Sequence, residues 1–292
     1  MHDVGTLNAS VAPTIGTRRG KLDMEFARDP YGRTFLRNQF SSYPFHICRP
    51  LYLDDGPTKN MATIYTQSCS GGLYTEDRLE TSIVAGPETQ VHVSTQASTI
   101  IHQGTRGPAC QSTTIKVADD ALMEYTPDPV ILFPNSHLRS SLRLELTSTA
   151  SAIVHDSFLA HDYRSGSGTF DLIENELTIV GSNGISRMID RFRFSGSEYV
   201  EGITGQMGGY LCHGSFVAIA PKADVGGLVA VSREAIRSIQ NTLLGVSILP
   251  DGTGMSARIL SRNAVGLKVA MTRLWSISRE AITGSPPQFR RK

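Results

Sequence analysis

The sequence lacks any long hydrophobic run and any excess of charge of one sign. No apolar stretch approaches the roughly 18–20 residues that a bilayer-spanning helix needs. The first residues, MHDVGTLNASVAPTIG, have neither the basic start nor the apolar core of a secretory signal. The 28 basic and 27 acidic residues give a formal net charge of +1. Nucleic acid is not expected as the main ligand, since phosphate binding requires a concentrated basic patch. A cytoplasmic protein that does not insert in a membrane is the expectation.

The cysteines are few and widely scattered. Cys48, Cys69, Cys110 and Cys212 contain no Cys-x-x-Cys pair. A disulfide framework or a structural zinc site would space its cysteines differently. Reduced thiols in a cytoplasmic compartment are the simplest interpretation.

The common catalytic and phosphate-binding motifs are missing. The chain has no GxxxxGK[ST] loop, no GxSxG elbow and no HExxH helix. Residues 252–257 fit a loose GxGxxG pattern, but the segment after them is typical of a strand, so we interpret them as a turn. The sequence therefore favours a protein that is not an enzyme and that holds no tight cofactor.

Short strand patterns separated by turns fill the first two thirds of the chain. Leu142, Leu144 and Leu146 alternate with polar residues at a period of two. Turn sequences such as Asp54-Asp55-Gly56-Pro57 recur between the strands. This pattern predicts a mainly β fold of stacked, antiparallel sheets.

The pattern changes to helical periodicity in the last third. Ser232 is a candidate cap for a helix over 232–244, and a second helix is predicted over 263–282, ended by Gly284 and Pro286-Pro287. We expect a flexible N-terminus over 1–15, one β-rich domain over 16–284, and a flexible basic tail over 285–292.

Ionisable residues inside apolar strands are the candidate functional groups. His155 and Asp156 interrupt the run from Ile153 to Leu159, where a charge is costly unless it is paired, hydrated or bound to metal. They are either a satisfied buried pair or the lining of a water-filled channel. Asp128 is held rigidly between two prolines. It either caps a turn or stands at the mouth of a polar path.

Two further carboxylates have the same two interpretations. Asp77 follows a glycine turn and either belongs to a loop or lines the path, and Glu124 either lies in the path or faces solvent. His102 is either a core histidine or a soft ligand. Oxygen and imidazole groups spaced apart in this way would bind a divalent ion weakly, which suits transit better than storage.

Three segments in order carry a family resemblance. GGLYTED at 71–77, TQAST at 95–99 and EYTPDPVILF at 124–133 resemble the urease accessory proteins of the UreD/UreH family, over a region from about Arg33 to the C-terminus. The resemblance implies a non-enzymatic chaperone of urease maturation. It also implies a long, distorted two-layer stacked-sheet fold, β-helix-like, with two helices in the C-terminal third.

The same resemblance implies partners and a cargo. Members of the family bind apo-urease and UreF, and through UreF the nickel-carrying GTPase UreG, and Ni(II) is thought to cross an interior tunnel. It implies that Asp77, Asp156, Glu124, Asp128 and His155 line a transient Ni(II) path. Trp275 and Arg279 match the family's C-terminal helix and are candidate partner-interface residues, although Trp275 also fits a core anchor.

The chain departs from the family pattern at several positions. Glu76 stands where the family usually has glycine, His102 replaces a usual tyrosine, and the terminal Pro-Arg-x-Trp has become Pro287-Gln288-Phe289-Arg290. The leading hypothesis is a cytoplasmic scaffold that conducts Ni(II) to apo-urease. The alternatives are a β-scaffold hydrolase that uses His155 and Asp156, and a pure protein–protein adaptor without metal transit.

Overall fold

Strands make up most of the computed structural model, which describes residues 17–161 and 168–290. The predicted flexible segment 1–15 lies outside these residues. The strands are β1 (Arg19–Arg28), β2 (Thr34–Ser41), β3 (Phe45–Ile47), β4 (Ala62–Ser68), β5 (Arg78–Ala85), β6 (Gln90–Thr95), β7 (Thr99–Ile101), β8 (Ala109–Val117), β9 (Leu122–Tyr125), β10 (Val130–Leu132), β11 (His137–Leu146), β12 (Ser151–Ala160), β13 (Leu172–Gly181), β14 (Ser186–Ser195), β15 (Cys212–Ile219), β16 (Thr242–Ile248) and β17 (Gly254–Ser261).

The strands form two facing sheets. The first sheet has the order β14-β13-β11-β8-β5-β1-β2, and the main path of the second is β16-β17-β15-β12-β9-β6-β4-β3. Along the middle of the chain, successive strands alternate between the sheets, so each pair forms one coil of a stack. The predicted two-layer, β-helix-like fold is confirmed.

The prediction of antiparallel sheets is wrong for the centre of the fold. β5, β8 and β11 run parallel in the first sheet, and β6, β9 and β12 run parallel in the second. Each coil returns the chain to the same end before the next begins, so stacked strands point the same way. Antiparallel pairs occur towards the ends of the sheets, for example β1 with β2 and β13 with β14.

Three helices are present among the described residues: α1 (Gly196–Glu201), α2 (Val225–Arg237) and α3 (Ala264–Thr283). The predicted helix over 263–282 is confirmed as α3, with Asn263 as its N-cap and Gly284 at its C-terminal end. α1 was not predicted.

The predicted helix over 232–244 is wrong in its bounds. Ser232 lies buried inside α2, and the cap is Asp224, whose side chain accepts a hydrogen bond from the backbone N–H of Gly227 at 3.1 Å. The start of α2 was not predicted from the sequence because Gly226 and Gly227 lie in its first turn, and glycine is a poor helix former. Residues from Thr242 onward form β16 instead, which pairs with β17 around the turn at 250–253.

The C-terminal segment, predicted to be flexible over 285–292, is docked on the fold as far as Arg290. The Arg290 guanidinium pairs with Asp54 at 2.5 Å, and the backbone N–H of Gln288 donates to the same carboxylate at 3.0 Å. Both charged side chains are nearly inaccessible to solvent. The basic residues of this segment led to the prediction of a flexible tail, but Arg290 forms a buried ion pair with Asp54 instead.

Asp224→Ala is expected to lower the free energy of unfolding by about 1 kcal/mol, because it removes the side-chain acceptor at the start of α2. Chemical denaturation measures this. Glu234→Ala, an exposed position on the same helix, is the control and should change stability by less than about 0.5 kcal/mol. Equal effects of the two substitutions would contradict the capping role.

Candidate functional site

A layer of polar side chains crosses the interior between the two sheets. On several strands the inward positions read apolar, polar, apolar at a period of two. The polar members lie at two adjacent levels: Ser140 pairs with Gln111 and Asn175, and Thr81 pairs with Thr113 one inward position further along. On β5 the set is Leu79, Thr81, Ile83; on β11 Leu138, Ser140, Leu142; on β13 Ile173, Asn175, Leu177; and on β12 Phe158, Asp156, Val154. The layer therefore separates two apolar clusters of the core.

A cavity of about 290 Å³ lies within this layer. The first sheet contributes polar lining from Thr81, Gln111, Thr113 and Ser140, and the second contributes Asp156 among others. The cavity extends along several coils of the stack and reaches the turn at Gly71 and Gly72. A space of this size with polar walls has room for water, which polar groups away from bulk solvent require.

The second sheet is interrupted where Pro127-Asp128-Pro129 separates β9 from β10. β9 pairs with the first half of β12, and β10 pairs with the second half. The two prolines have no N–H to give to a ladder, so the strand cannot continue through them. Between these halves, residues 155–157 of β12 border the cavity.

Asp156 is the carboxylate that the structure places most directly in the cavity. Asn175 of the facing sheet donates to it through Nδ2 at 2.7 Å. Its side chain is partly buried and is part of the cavity lining. Burial in this enclosed site raises the pKa of Asp156 to about 6, against the opposing hydrogen bond from Asn175.

Asp128 and the strand segment at His155 also border the cavity, although the His155 ring lies on the other face of β12. The backbone N–H of Asp128 donates to Thr95 Oγ1 at 2.8 Å, which ties the Pro-Asp-Pro segment to the end of β6. His155 stacks near Phe216, with ring centroids 6.3 Å apart. Because adjacent strand residues point to opposite faces, His155 and Asp156 lie on opposite sides of the sheet. They do not form the pair that the hydrolase alternative requires.

Asp77 is buried but does not line the cavity, which disagrees with its predicted place in the path. Both of its carboxylate oxygens accept from Arg18 Nε at 3.0 Å, and the backbone N–H of Tyr74 donates to it at 2.7 Å. Arg18 also donates to the carbonyl of Gly72 at 2.9 Å. Asp77 therefore holds the 71–77 turn in shape at the rim of the cavity.

The 71–77 turn forms although Glu76 stands where the family usually has glycine. This residue has φ of 63°, in the left-handed region where glycine is favoured. His102 packs on the same turn: its Nε2 lies 2.9 Å from the Gly71 carbonyl oxygen, and its ring stacks on Tyr74 at 4.3 Å. His102 is thus held by contacts within this rim.

Glu124 lies on the opposite face of the second sheet from the cavity, so its predicted place in the path is also wrong. Its neighbours Met123 and Tyr125 face inward, whereas Glu124 faces α3. Arg279 donates to both of its oxygens, and Trp275 Nε1 and His92 Nδ1 lie within hydrogen-bonding distance at 2.8 and 2.7 Å. Glu124 is completely buried.

The electrostatics of this cluster keep Glu124 ionised. Burial alone would raise its pKa, but the charge of Arg279 and the hydrogen bonds from Arg279 and His92 outweigh burial and lower the pKa of Glu124 to about 2. Burial lowers the pKa of His92, so His92 is neutral and donates its Nδ1 hydrogen to the carboxylate. Around Glu124, the cluster therefore consists of a buried ion pair with Arg279 and two neutral donors, His92 and Trp275.

Trp275 and Arg279 are interior residues and not surface ones, which contradicts their assignment to a partner interface. Arg279 is 0% exposed and also donates to Asp54 at 3.2 Å. Trp275 is 8% exposed, and the guanidinium groups of Arg279 and Arg290 both lie 5.5 Å from its ring. The alternative interpretation of Trp275 as the core anchor of α3 agrees with this position.

Sequence reasoning missed the polar side chains of the first sheet that complete the cavity wall. Thr and Ser between inward leucines or isoleucines, such as Thr81 and Ser140, form no motif, and each is unremarkable alone. The signal is the repeat of one polar inward position in several strands, which becomes visible only when the strands are stacked in register. The described residues contain no group of three or more His, Cys, Asp or Glu side chains suited to hold a metal ion.

Together, the fold and the cavity define a β-solenoid-like scaffold with a polar interior. The family model described as "UreD urease accessory protein" matches residues 18–292. The chain belongs to the UreD urease accessory protein family. No helix within the described ranges has the length and hydrophobicity required to cross a bilayer.

The chain is similar to curated UreD proteins over almost its whole length. A "Urease accessory protein UreD 1" of Pseudomonas syringae pv. syringae is 34% identical over 98% of this chain and 100% of the relative. Another of the same description, from Methylorubrum populi, is 37% identical over 97% and 94%. "Urease accessory protein UreD" of the archaeon Haloarcula marismortui is 27% identical over 94% and 90%.

Asp156→Asn is expected to stabilise the protein above pH 6. The folded-state pKa of about 6 lies above the ordinary value of 3.8, so the folded state holds the proton more tightly. The contribution of the protonated Asp156 carboxyl to the free energy of unfolding is fully present below pH 3.8 and is lost as pH rises through about 6. Asparagine has the same shape as aspartate but does not ionise. At pH 8 the free energy of unfolding of the variant should therefore be about 2 kcal/mol higher than that of the wild type.

Denaturant titrations from pH 4 to 8 measure this effect. The difference between variant and wild type should grow with pH. A difference that is constant across the range would show that Asp156 ionises as an exposed carboxyl does.

Arg279→Met is expected to cost about 3–5 kcal/mol of stability, because it leaves the buried carboxylates of Glu124 and Asp54 without their shared cation. The double variant Arg279→Met, Glu124→Gln should recover part of the loss. Arg191→Met, which breaks an exposed ion pair with Glu176, is the control. A loss for Arg279→Met no larger than for the control would contradict the bracing role of the cluster.

Proposed function

We propose that this protein is a cytoplasmic, non-enzymatic chaperone of urease maturation that conducts Ni(II) to the active site of apo-urease. In this proposal it binds apo-urease on one side and UreF, together with UreG, on the other. The polar cavity provides the route for the ion. No tightly bound cofactor is involved, and Ni(II) is cargo in transit.

The observation that carries the proposal is the polar layer of the core with its internal cavity. A protein that served only as a rigid adaptor would be more stable with this layer filled by packed apolar side chains. Hydroxyl, amide and carboxylate oxygens from facing sheets give a hydrated cation successive weak contacts. Since release must follow every contact, scattered single ligands suit transit better than a closed set of three or four.

In this proposal, Asp156 has the largest role in moving the ion through the cavity. It is the carboxylate on the inner face of β12 at the level of the polar layer, and it can carry negative charge at neutral pH even though burial opposes ionisation. An approaching divalent cation favours the ionised form further. Asp128, at the interruption of the second sheet, is assigned the second carboxylate of the route.

The urease accessory role of the relatives supports the choice of partners and of nickel. Their names state the accessory function, and the chain matches several of them over more than nine tenths of its length. Because Trp275 and Arg279 are buried, we assign partner binding to other, exposed surfaces. The buried cluster acts indirectly by holding α3 against the second sheet.

Asp156→Asn is expected to lower urease activation on the order of tenfold at limiting nickel, because the neutral amide cannot attract the cation. Urease activity is measured after coexpression with apo-urease and the other accessory proteins. Glu174→Gln removes a carboxylate on the outer face of β13, in the facing sheet; it is the matched control and should activate normally. Copurification of the variant with its partners checks that assembly is intact.

The outcomes separate the conduit from the adaptor. Since Asp156→Asn is expected to stabilise the fold, loss of activation at equal soluble level and equal copurification reports on passage. Normal activation by Asp156→Asn and by Asp128→Asn would contradict the conduit and leave the adaptor function.

A further inference from the structure

The polar layer continues beyond the cavity, past Asp156, towards the far edge of the two sheets. In the ladder between β12 and β15, Ser215 lies directly opposite Asp156. In the next ladder, between β15 and β17, Arg258 lies directly opposite Ser215. Residues opposite each other in a ladder share a face and lie about 4.5–5.5 Å apart. The three side chains thus form one inward row.

His213 lies two residues from Ser215 on the same face and is unusually placed for a histidine. It is 1% exposed, and neither ring nitrogen has a hydrogen-bond partner within the described residues. Its ring is surrounded by Phe158, Phe192 and Phe194, with centroids 5.2, 4.7 and 6.1 Å away. Leaving a buried polar atom without a partner costs about 1–3 kcal/mol. Packing alone would favour phenylalanine at this position.

Ser215 has the same property. It is 4% exposed, and its Oγ has no hydrogen-bond partner among the residues the structure describes. Burial and the nearby charge of Arg258 lower the pKa of His213 to about 3, so the imidazole is neutral and can offer a nitrogen lone pair. A neutral imidazole, a hydroxyl and the carboxylate of Asp156 are ligand types that Ni²⁺ accepts.

An ion pair closes this end of the layer. On β14, Asp190 lies opposite Leu177 and Phe192 lies opposite Asn175, so both face inward. Arg258 donates from Nη2 to Asp190 Oδ2 at 2.6 Å and links β14, the edge strand of the first sheet, to β17, which lies next to the edge strand β16 of the second. Its guanidinium also lies 5.8 Å from the ring of Phe192. The Arg258 side chain is 44% exposed and that of Asp190 21%, so solvent begins at this pair.

We propose that the cation path continues past Asp156 to a second station, built by His213 and Ser215, which the Arg258–Asp190 ion pair separates from solvent. The inference rests on the proposed function for the identity of the ion. The unpartnered nitrogen and hydroxyl groups are the ligands of the station. The ion pair is the gate: its separation exposes the inward row between β14 and β17.

His213→Phe is the first test, because it keeps a planar ring among the aromatic neighbours and removes both nitrogens. The thermal midpoint is expected to stay equal or to rise, since two unpartnered polar atoms are lost. Urease activation at limiting nickel is expected to fall about tenfold. Phe194→Leu, in the same aromatic cluster, is the control and should not change activation. A purely structural histidine would give normal activation with unchanged stability.

The results for His213→Phe and Asp156→Asn, measured in parallel, separate the two proposals. Reduced activation in both supports the station. Reduced activation with Asp156→Asn alone overturns the station and leaves the conduit. Normal activation in both overturns the station, and together with normal activation by Asp128→Asn it also overturns the conduit.

The second test does not depend on nickel or on urease. Ser215→Cys is made in a background in which Cys48, Cys69 and Cys110 are replaced by serine. Cys212 is kept, because it is buried and burial raises the pKa of its thiol to about 11. The rate at which aminoethyl methanethiosulfonate labels the introduced thiol is measured by mass spectrometry.

Adding Asp190→Ala to that chain is expected to raise the labelling rate severalfold, because it removes one side of the gate. Glu176→Ala is the matched control, since it breaks an ion pair with Arg191 on the outer face of β13 and β14, next to Asp190 in the chain. A rate that Asp190→Ala leaves equal to that of the control overturns the gate, whatever the urease assay shows.

Discussion

The structure depends on a polar layer held inside an otherwise apolar β stack. Strands such as β5, β11 and β13 could have carried leucine or isoleucine at the polar position, as they do at the inward positions on either side of it. Threonine, glutamine, serine, asparagine and aspartate occur there instead, and their polar groups require partners or water. The cavity is the consequence, since short polar side chains on facing sheets do not fill the space between them.

A second constraint keeps the wall of this cavity in place. Glu124 and His92 lie on β9 and β6 with their side chains on the outer face, while the next residues, Tyr125 and Val93, border the cavity. The pair of Glu124 with Arg279 fixes α3 to that outer face, and Asp54 ties in the C-terminal segment through Arg290. The buried charges thus brace the wall from its outer face, and the residues that we propose contact the ion are on the other side.

This division explains why carboxylates of similar appearance have different roles. Asp156 faces the cavity, with the neutral Asn175 as its donor, and its pKa is raised. Glu124 faces an arginine, and its pKa is lowered. Asp77 is satisfied by Arg18 and the backbone of its own turn. A carboxylate that is neutralised by a fixed arginine attracts a cation only weakly. Asp156 and Asp128 are the acidic residues that line the cavity.

The sequence by itself determined the β character, the two-layer stack through its family resemblance, the α3 helix, and the presence of charged residues within strands. Local period and turn chemistry are enough for these, because each depends on neighbours along the chain. Only the tertiary structure decided that Asp156 and Glu124 face opposite sides of one sheet, and that Trp275 and Arg279 are interior. The physical reason is register: a shift of one residue exchanges the two faces of a strand, and the register is set by distant strands packed against it.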